Sequence, residues 1–165
     1  MADRDAVARR RRTVLTYGTF DLFHIGHLRL IERLSGLGDR LVVGVSTDRF
    51  NAEKGKKSVV PYEDRAAIVA SIKGVDLVVP EESWEQKVHD IAEHHVDVFA
   101  IGEDWRGEFD HLEEHCKVVY LPRTQGVSST EIKRMLQVLD PAHLDELQDA
   151  VNILANMLTH YRDLT

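Results

Sequence analysis

Residues 13–27 read TVLTYGTFDLFHIGH, and this stretch decides the fold because it joins a strand, a loop and a helix in that order. Thr13 to Tyr17 form a short run of apolar and β-branched residues, as in a buried strand. Helical periodicity begins near Gly26. The loop between them carries His24, and His27 falls in the first turn of the helix. A strand that leads through a short loop into a helix begins a β-α-β unit, which predicts the α/β class.

The same alternation continues along the chain. Four further short, valine-rich runs are predicted strands: Leu41–Ser46, Leu77–Pro80, Val96–Gly102 and Val118–Leu121. Helical periods are predicted between and after them: Gly26–Leu37, Tyr62–Lys73, Trp84–His95 and Ser128–Val138. Strands that are apolar at successive positions are typical of a parallel sheet covered by helices on both faces. We therefore predict a parallel sheet of about five strands, with any ligand beyond the carboxyl ends of those strands.

The composition describes an ordinary globular chain. The 165 residues are 43% apolar and 30% charged, which fits one domain, predicted over residues 13–139. A net charge of −7 disfavours a nucleic-acid partner, and the single cysteine, Cys116, excludes an internal disulfide. No apolar run is long enough to cross a bilayer and no signal peptide follows Arg9–Arg12, so a cytoplasmic location is expected. Residues 1–12 are predicted to be a disordered basic tail.

Residues 140–165 are predicted to form a C-terminal helix. Asp140 and Pro141 suit its N-cap and its first helical position. Apolar residues then recur at spacings of three and four: Leu144, Leu147, Val151, Leu154, Leu158 and Tyr161. Such a stripe packs either against the chain's own body or against a second copy in a homodimer.

The loop after the first predicted strand has the chemistry of an anion site. Free backbone amides and the positive end of the helix dipole favour a phosphate there. His24 and His27 are three residues apart and can face the same side, while Gly26 permits a close approach. Their imidazoles could donate hydrogen bonds to a phosphorus centre whose charge grows during transfer. The pair alone also fits ordinary polar residues or half of a metal site, but its place at the start of a helix favours a phosphate.

Basic residues also follow two other predicted strands. Lys54 and Lys56 come after the second one, where a nucleotide and a phosphate monoester could be brought together, although such clusters are often solvated surface. Arg123 follows the last strand and offers a planar, permanently charged fork for phosphate oxygens. Ser128 or Ser129 could cap the next helix while its amides hold a phosphate.

The segment Gly18–His27 resembles the signature of the nucleotidyltransferase superfamily that shares a His-x-Gly-His motif. The segment Arg123–Thr130 resembles that superfamily's second signature, in the form used by its cytidylyltransferase branch. More narrowly, the chain is similar to the glycerol-3-phosphate cytidylyltransferase family from about Val14 to Lys133. This resemblance implies a Rossmann-like fold and the transfer of CMP from CTP to a small alcohol phosphate. Glycerol 3-phosphate is the expected acceptor, which would give CDP-glycerol and pyrophosphate.

The resemblance also implies roles for individual residues. The catalytic residues would be His24, His27, Lys54 and Arg123. Nucleotide contacts would come from Thr19, Phe20, His24, His27, Lys56, Asp104, Arg123, Thr124, Gly126, Ser128, Ser129 and Thr130. The acceptor would be bound by Lys54, Arg65 and Lys87. The expected partners are CTP, the alcohol phosphate and a second copy of the chain. Magnesium is expected to bind mainly through the CTP phosphates, with no protein ligand.

Other functions remain open at this point. Lys73 stands where the glycerol-phosphate family has arginine, so ethanolamine phosphate or another polyol phosphate could be the acceptor. ATP with a flavin or pantetheine acceptor, or a non-catalytic nucleotide sensor, are further alternatives. A zinc site at His111–His115 is set aside because that segment is short, polar and without a third ligand. The chain contains neither a P-loop nor a Gly-x-Gly-x-x-Gly motif, which disfavours P-loop kinases and dinucleotide oxidoreductases.

Overall fold

The structure, a computed structural model, describes residues 10–138 and 148–153, and it divides the chain into two compact units, Met1–Val127 and Ser128–Thr165. In the described part of the first unit, five parallel strands form one sheet: β1 (Thr13–Gly18), β2 (Arg40–Ser46), β3 (Leu77–Glu81), β4 (Val98–Gly102) and β5 (Lys117–Leu121). Its helices are α1 (Ile25–Ser35), α2 (Asp48–Glu53), α3 (Tyr62–Ala70) and α4 (Gln86–Glu93). Short 3₁₀ turns occupy Glu103–Trp105 and Asp110–Glu114. The second unit contains α5 (Ser129–Val138), and residues 148–153 are also helical.

The strand order places a ligand site at the middle of the sheet. The order is β3-β2-β1-β4-β5, so the chain moves outward from β1 to β3 and then returns to the other side of β1. The change of direction lies between β1 and β4. In open parallel sheets, a crevice for ligands forms beyond the carboxyl ends of the strands at such a point. The loops that follow β1, β2, β3 and β4 therefore open at the same edge.

Both faces of the sheet are covered by apolar side chains. Val14 and Leu15 are neighbours on β1, yet they belong to two different hydrophobic clusters, one on each face. The first cluster includes Ile31 and Leu34 of α1, and the second includes Ile91 of α4. This two-sided burial explains why the strands are apolar at successive positions.

Gly44 on β2 makes room for the ring of Tyr17 on β1. The two residues are paired in the parallel register. A Cβ atom placed on Gly44 would collide with Cδ1 and Cε1 of Tyr17. The missing side chain therefore lets the Tyr17 ring lie across the neighbouring strand, on the face that carries the second cluster.

The predicted fold class is confirmed: the sheet is parallel, five-stranded and Rossmann-like, with flanking helices. The elements differ from the prediction at their ends, since β4 begins at Val98 and α4 at Gln86. The prediction had no helix at Asp48–Glu53, where the structure has α2. This helix has six residues, too few to produce a readable period.

The predictions for the two ends of the chain stay predictions. Residues 1–9 of the predicted tail and most of the predicted helix 140–165 lie outside the described residues. Arg10, which lies within the predicted tail 1–12, donates to a carboxylate oxygen of Asp97 at 2.9 Å. Within the described residues, no helix is long and apolar enough to span a membrane.

Candidate active site

The two histidines form a stacked pair at the start of α1. His24 is the N-cap, and its Nδ1 accepts a hydrogen bond from the backbone N–H of Gly26 at 3.0 Å. His27 Nδ1 in turn accepts from the backbone N–H of His24 at 3.4 Å. The ring centroids lie 3.9 Å apart, with an interplanar angle of 18°. Because Nδ1 is the acceptor in both rings, each neutral imidazole carries its hydrogen on Nε2.

Both rings are held in the neutral form. Burial lowers the pKa of His24, and burial together with the nearby His24 lowers the pKa of His27 to about 4. Near neutral pH each ring therefore offers one N–H donor without bringing a full positive charge. Gly26 allows this packing, because a Cβ there would lie 2.8 Å from Cε1 of His24.

The turn before the histidines has an unusual backbone that Asp21 stabilises. Phe20 and Leu22 have φ values of 52° and 48°, in the left-handed region that residues other than glycine seldom occupy. Between them, the buried Asp21 carboxylate accepts from the backbone N–H groups of Val59 and Val60, each at 2.9 Å. It therefore joins the loop after β1 to the loop before α3. This role of Asp21 could not be predicted from sequence, because its partners lie almost forty residues away.

Phe20 contributes to the apolar core beneath this turn. Its side chain is 3% exposed and meets the His27 ring edge-on, with centroids 5.4 Å apart. Its predicted contact with the nucleotide stays a prediction.

Arg65 holds three loops together. It is fully buried, with Nε donating to the Val60 carbonyl and Nη1 donating to the carbonyls of Thr19 and Ser46. Its Nη2 donates to the Asp48 carboxylate at 2.6 Å. All three guanidinium nitrogens thus bond to the protein, at the edge of the sheet where the site lies. A direct contact between Arg65 and the acceptor stays a prediction.

Two lysines share one carboxylate inside a small cavity. Lys87 Nζ lies 2.8 Å and Lys54 Nζ 3.4 Å from oxygens of Glu81, and each of the three side chains is less than a tenth exposed. Ser46 donates to the same carboxylate and accepts from Lys54 at 2.9 Å. Burial is the main cause that lowers the pKa of Lys54, while Glu81 opposes this shift. The sequence predictions for Lys54 and Lys87 thus fall on one cluster, whereas Glu81 was missed.

The cavity measures about 80 Å³ and opens at the carboxyl edge of the sheet. Its walls include the backbone of Gly18 and Thr19, the lysines just described, and several aromatic rings: Tyr17, Trp84, Trp105 and Phe109. Lys56 also lines it, with Nζ 5.6 Å from the centroid of the Trp105 ring. Gly18 and Thr19 connect this cavity directly to the loop that leads to His24.

The residues after β4 and β5 form a more exposed group. Arg123 Nε lies 3.4 Å from the Asp104 carboxylate, and more than half of each side chain is exposed. Thr124 Oγ1 accepts from Arg33 at 3.5 Å, and Gly126 has a φ of 85°, which glycine adopts without strain.

The remaining part of the second signature lies in the second unit. Ser128 Oγ accepts from the backbone N–H of Glu131 at 3.1 Å, as an N-cap of α5 does. The predicted nucleotide contacts of Ser128, Ser129 and Thr130 stay predictions.

Comparison with known proteins identifies the family of the chain. Residues 15–135 match the family described as Cytidylyltransferase-like. The chain belongs to this family. It is a nucleotidyltransferase, as the two signatures led us to expect.

Relatives of this cytidylyltransferase-like chain carry names that concern particular acceptors. Glycerol-3-phosphate cytidylyltransferase of Bacillus subtilis (strain 168) is 56% identical over 122 residues, which cover 74% of this chain and 95% of that protein. The protein of the same name from Staphylococcus aureus is 51% identical over 125 residues, covering 76% and 95%. Ethanolamine-phosphate cytidylyltransferase of Mus musculus is 30% identical over 132 residues, covering 76% and 33%.

A solved structure supports the fold alone. The lipopolysaccharide core biosynthesis protein from Thermoplasma volcanium superposes with a TM-score of 0.62 and 24% identity, over 70% of this chain and 99% of that one.

Proposed function

We propose that this chain transfers CMP from CTP to glycerol 3-phosphate, giving CDP-glycerol and pyrophosphate. The observation that carries the proposal is a buried pair of lysines in a small cavity, joined through Gly18 and Thr19 to a neutral histidine pair at a helix N-terminus. The lysine pair suits the phosphate monoester of an acceptor, and the histidine pair suits the α-phosphate of a nucleotide. The names of the Bacillus and Staphylococcus relatives support this choice of substrates.

In the proposed reaction, an oxygen of the acceptor phosphate attacks the α-phosphorus of CTP in line. The new P–O bond forms as the bond from the α-phosphorus to the pyrophosphate oxygen breaks. His24 and His27 donate their Nε2–H groups to the α-phosphate as its equatorial charge grows. Lys54 and Lys87 neutralise the acceptor phosphate, so that two anions can approach each other. Lys56 and Arg123 hold the β- and γ-phosphates.

Nucleotidyltransferases work with a divalent cation at the nucleotide phosphates, and we assign magnesium to this place. Glu81, the carboxylate nearest the proposed acceptor site, is already bonded to Lys54 and Lys87. Among residues 10–138 and 148–153, the one group of three potential ligands is His89, Asp90 and Glu93 on α4. The proposal assigns neither Glu81 nor this group on α4 to CTP. The ion would therefore be held by CTP and water, and it would neutralise part of the phosphate charge.

The proposal also includes the cytoplasmic location and the homodimer that the sequence predicts. Light scattering coupled to size exclusion, at several protein concentrations, measures the oligomeric state directly. A mass of one chain throughout would remove the dimer from the proposal.

The deciding experiment is a panel of triphosphates and acceptor phosphates scored by pyrophosphate release, with the nucleotide product identified by mass spectrometry. We expect turnover with CTP and glycerol 3-phosphate, and a product with the mass of CDP-glycerol. Stronger turnover with ethanolamine phosphate or another polyol phosphate would keep the reaction and replace the acceptor. Tight CTP binding without turnover of any acceptor would point to a nucleotide sensor and contradict the proposal.

A further inference from the structure

The ammonium group of Lys87 sits inside a cage of aromatic rings. Its Nζ lies 4.5 Å from the centroid of the Tyr17 ring, 4.9 Å from that of Trp84 and 5.6 Å from that of Phe109. The Glu81 carboxylate completes the cage at 2.8 Å. Aromatic faces attract ammonium groups, and cages of such rings recognise quaternary ammonium ligands in proteins. Here the protein's own lysine occupies that environment.

Hydrogen bonds to the Asp90 carboxylate hold the Tyr17 ring of the cage in place. The Tyr17 hydroxyl donates to Asp90 at 2.5 Å, and Gln86 donates to the same carboxylate oxygen at 2.8 Å. The bond from Tyr17 connects β1 to α4, the helix that carries Lys87, and the bond from Gln86 holds the Asp90 carboxylate within that helix. The Tyr17 ring is therefore tied to the helix that carries the lysine.

A second ammonium group shares one wall of this cage. Lys54 Nζ lies 5.5 Å from the centroid of the Trp84 ring, so both lysines are near the same indole. The two ammonium groups share one carboxylate, Glu81, while the buried Asp90 carboxylate behind the Tyr17 ring is already bonded to Tyr17 and Gln86. An acceptor that brought a further ammonium group into this cavity would meet repulsion at low dielectric, because both carboxylates already have partners.

We infer that Lys87 is a specificity-determining residue, which fills an ammonium cage and so restricts the acceptor to phosphates of uncharged alcohols. The inference rests on the proposed function, because it assigns the cavity to the alcohol phosphate. A hydroxyl group can donate to Glu81 or accept from a lysine without adding charge. The ammonium group of an amino-alcohol phosphate can enter only by displacing that of Lys87.

Replacement of Lys87 tests the inference by its effect on the preference between two acceptors, ethanolamine phosphate and glycerol 3-phosphate. Lys87→Met keeps most of the apolar stem and removes the charge, and Lys87→Ala also opens space. In both, we expect kcat/KM for glycerol 3-phosphate to fall, and the ratio of kcat/KM for ethanolamine phosphate to that for glycerol 3-phosphate to rise roughly tenfold or more. The substrate's ammonium group would then take the vacated place beside Glu81. A purely structural role would lower both activities together and leave the ratio unchanged, which would overturn the inference.

Two matched variants sharpen the comparison. Adding Glu81→Gln to Lys87→Ala should reduce the gained preference, because the incoming ammonium group loses its carboxylate. Lys117→Ala removes an exposed lysine at the amino end of β5 and should leave the acceptor ratio at its original value. An equal shift in the Lys117 variant would contradict a local role for Lys87.

Binding to the unaltered chain provides a test that needs neither a mutant nor turnover. Propyl phosphate carries a methyl group where ethanolamine phosphate carries its ammonium group. Calorimetry should give roughly tenfold or more tighter binding for propyl phosphate. Equal affinities would overturn the inference even if CDP-glycerol is formed. Absence of CDP-glycerol formation would count against the proposed function alone.

Discussion

His24 has a structural role and a proposed chemical role, and these can be separated by substitution. As the N-cap of α1 it accepts from the Gly26 N–H through Nδ1, while Nε2–H is the group assigned to the α-phosphate. Asparagine is a good N-cap but lacks an imidazole. We expect His24→Asn and His24→Ala both to lower kcat roughly a hundredfold or more. Only His24→Ala should also lose about 1 kcal/mol of unfolding free energy, measured in urea. Near-normal turnover in either variant would remove His24 from the mechanism.

His27 makes stability depend on pH in a direction that its environment fixes. Its pKa falls to about 4 in the folded chain, below the unfolded value of 6.5, so the unfolded chain binds the proton more readily. Its contribution is complete above the unfolded pKa and is lost as pH falls from there through the folded pKa. Relative to His27→Gln, the native chain should lose about 1 to 3 kcal/mol of unfolding free energy between pH 7 and pH 4. If the unfolding free energy, measured in urea, changes equally with pH in the two proteins, His27 does not have the lowered pKa.

The strands could be predicted from sequence because each is a short apolar run, and the three central strands, β1, β2 and β4, are buried on both faces, as Val14 and Leu15 show on β1. The α2 helix could not. It is stabilised by its Thr47 cap, whose hydroxyl accepts from the Phe50 N–H, and by burial of Phe50 and Asn51. The capping bond is local, but the burial depends on the tertiary fold, and six residues are too few to show a period in the sequence.

The contact between β1 and β2 gives a test of how the cavity wall is built. In Gly44→Ala the new methyl group would collide with the Tyr17 ring, so the ring or the strand must move. We expect a loss of about 1 to 3 kcal/mol of unfolding free energy, together with weaker acceptor binding. Gly36→Ala is the matched control, because its Cβ would approach nothing closer than 3.4 Å and its φ is −73°. If both variants unfold at the same urea concentration as the native chain, the close packing of Tyr17 on Gly44 is not important for stability.

Site residues could be predicted from sequence only where a basic residue or a motif follows a predicted strand. Lys54 and Lys87 could be named by resemblance, but the residue that unites them, Glu81, ends β3 as one carboxylate in an acidic chain. The acceptor contact of Arg65 stays a prediction, and its bonds to the carbonyls of Thr19 and Ser46, 46 and 19 residues away in sequence, could not be predicted. Such partners become neighbours only when the parallel sheet has formed.

The distribution of charge, rather than its sum, should govern nucleotide binding. The chain carries a net charge of −7, yet its proposed phosphate ligands lie at the carboxyl edge of the sheet, where local fields act on a bound anion. Arg123→Gln and Lys117→Gln change the net charge equally, but Lys117 begins β5 and Arg123 follows it. We expect kcat/KM for CTP to fall roughly 10- to 100-fold in the Arg123 variant and to stay within about twofold in the Lys117 variant.

The unfolding free energy shows whether kcat/KM falls because a phosphate contact is lost or because the Arg123 variant unfolds. The Arg123–Asp104 ion pair is more than half exposed on both sides, so its loss should leave the unfolding free energy nearly unchanged. Steady-state kinetics at two salt concentrations completes the test, because an interaction with the phosphates of CTP weakens as salt screens it. An equal loss of kcat/KM in the two variants would mean that the overall charge attracts the nucleotide, and Arg123 would no longer be assigned to its phosphates.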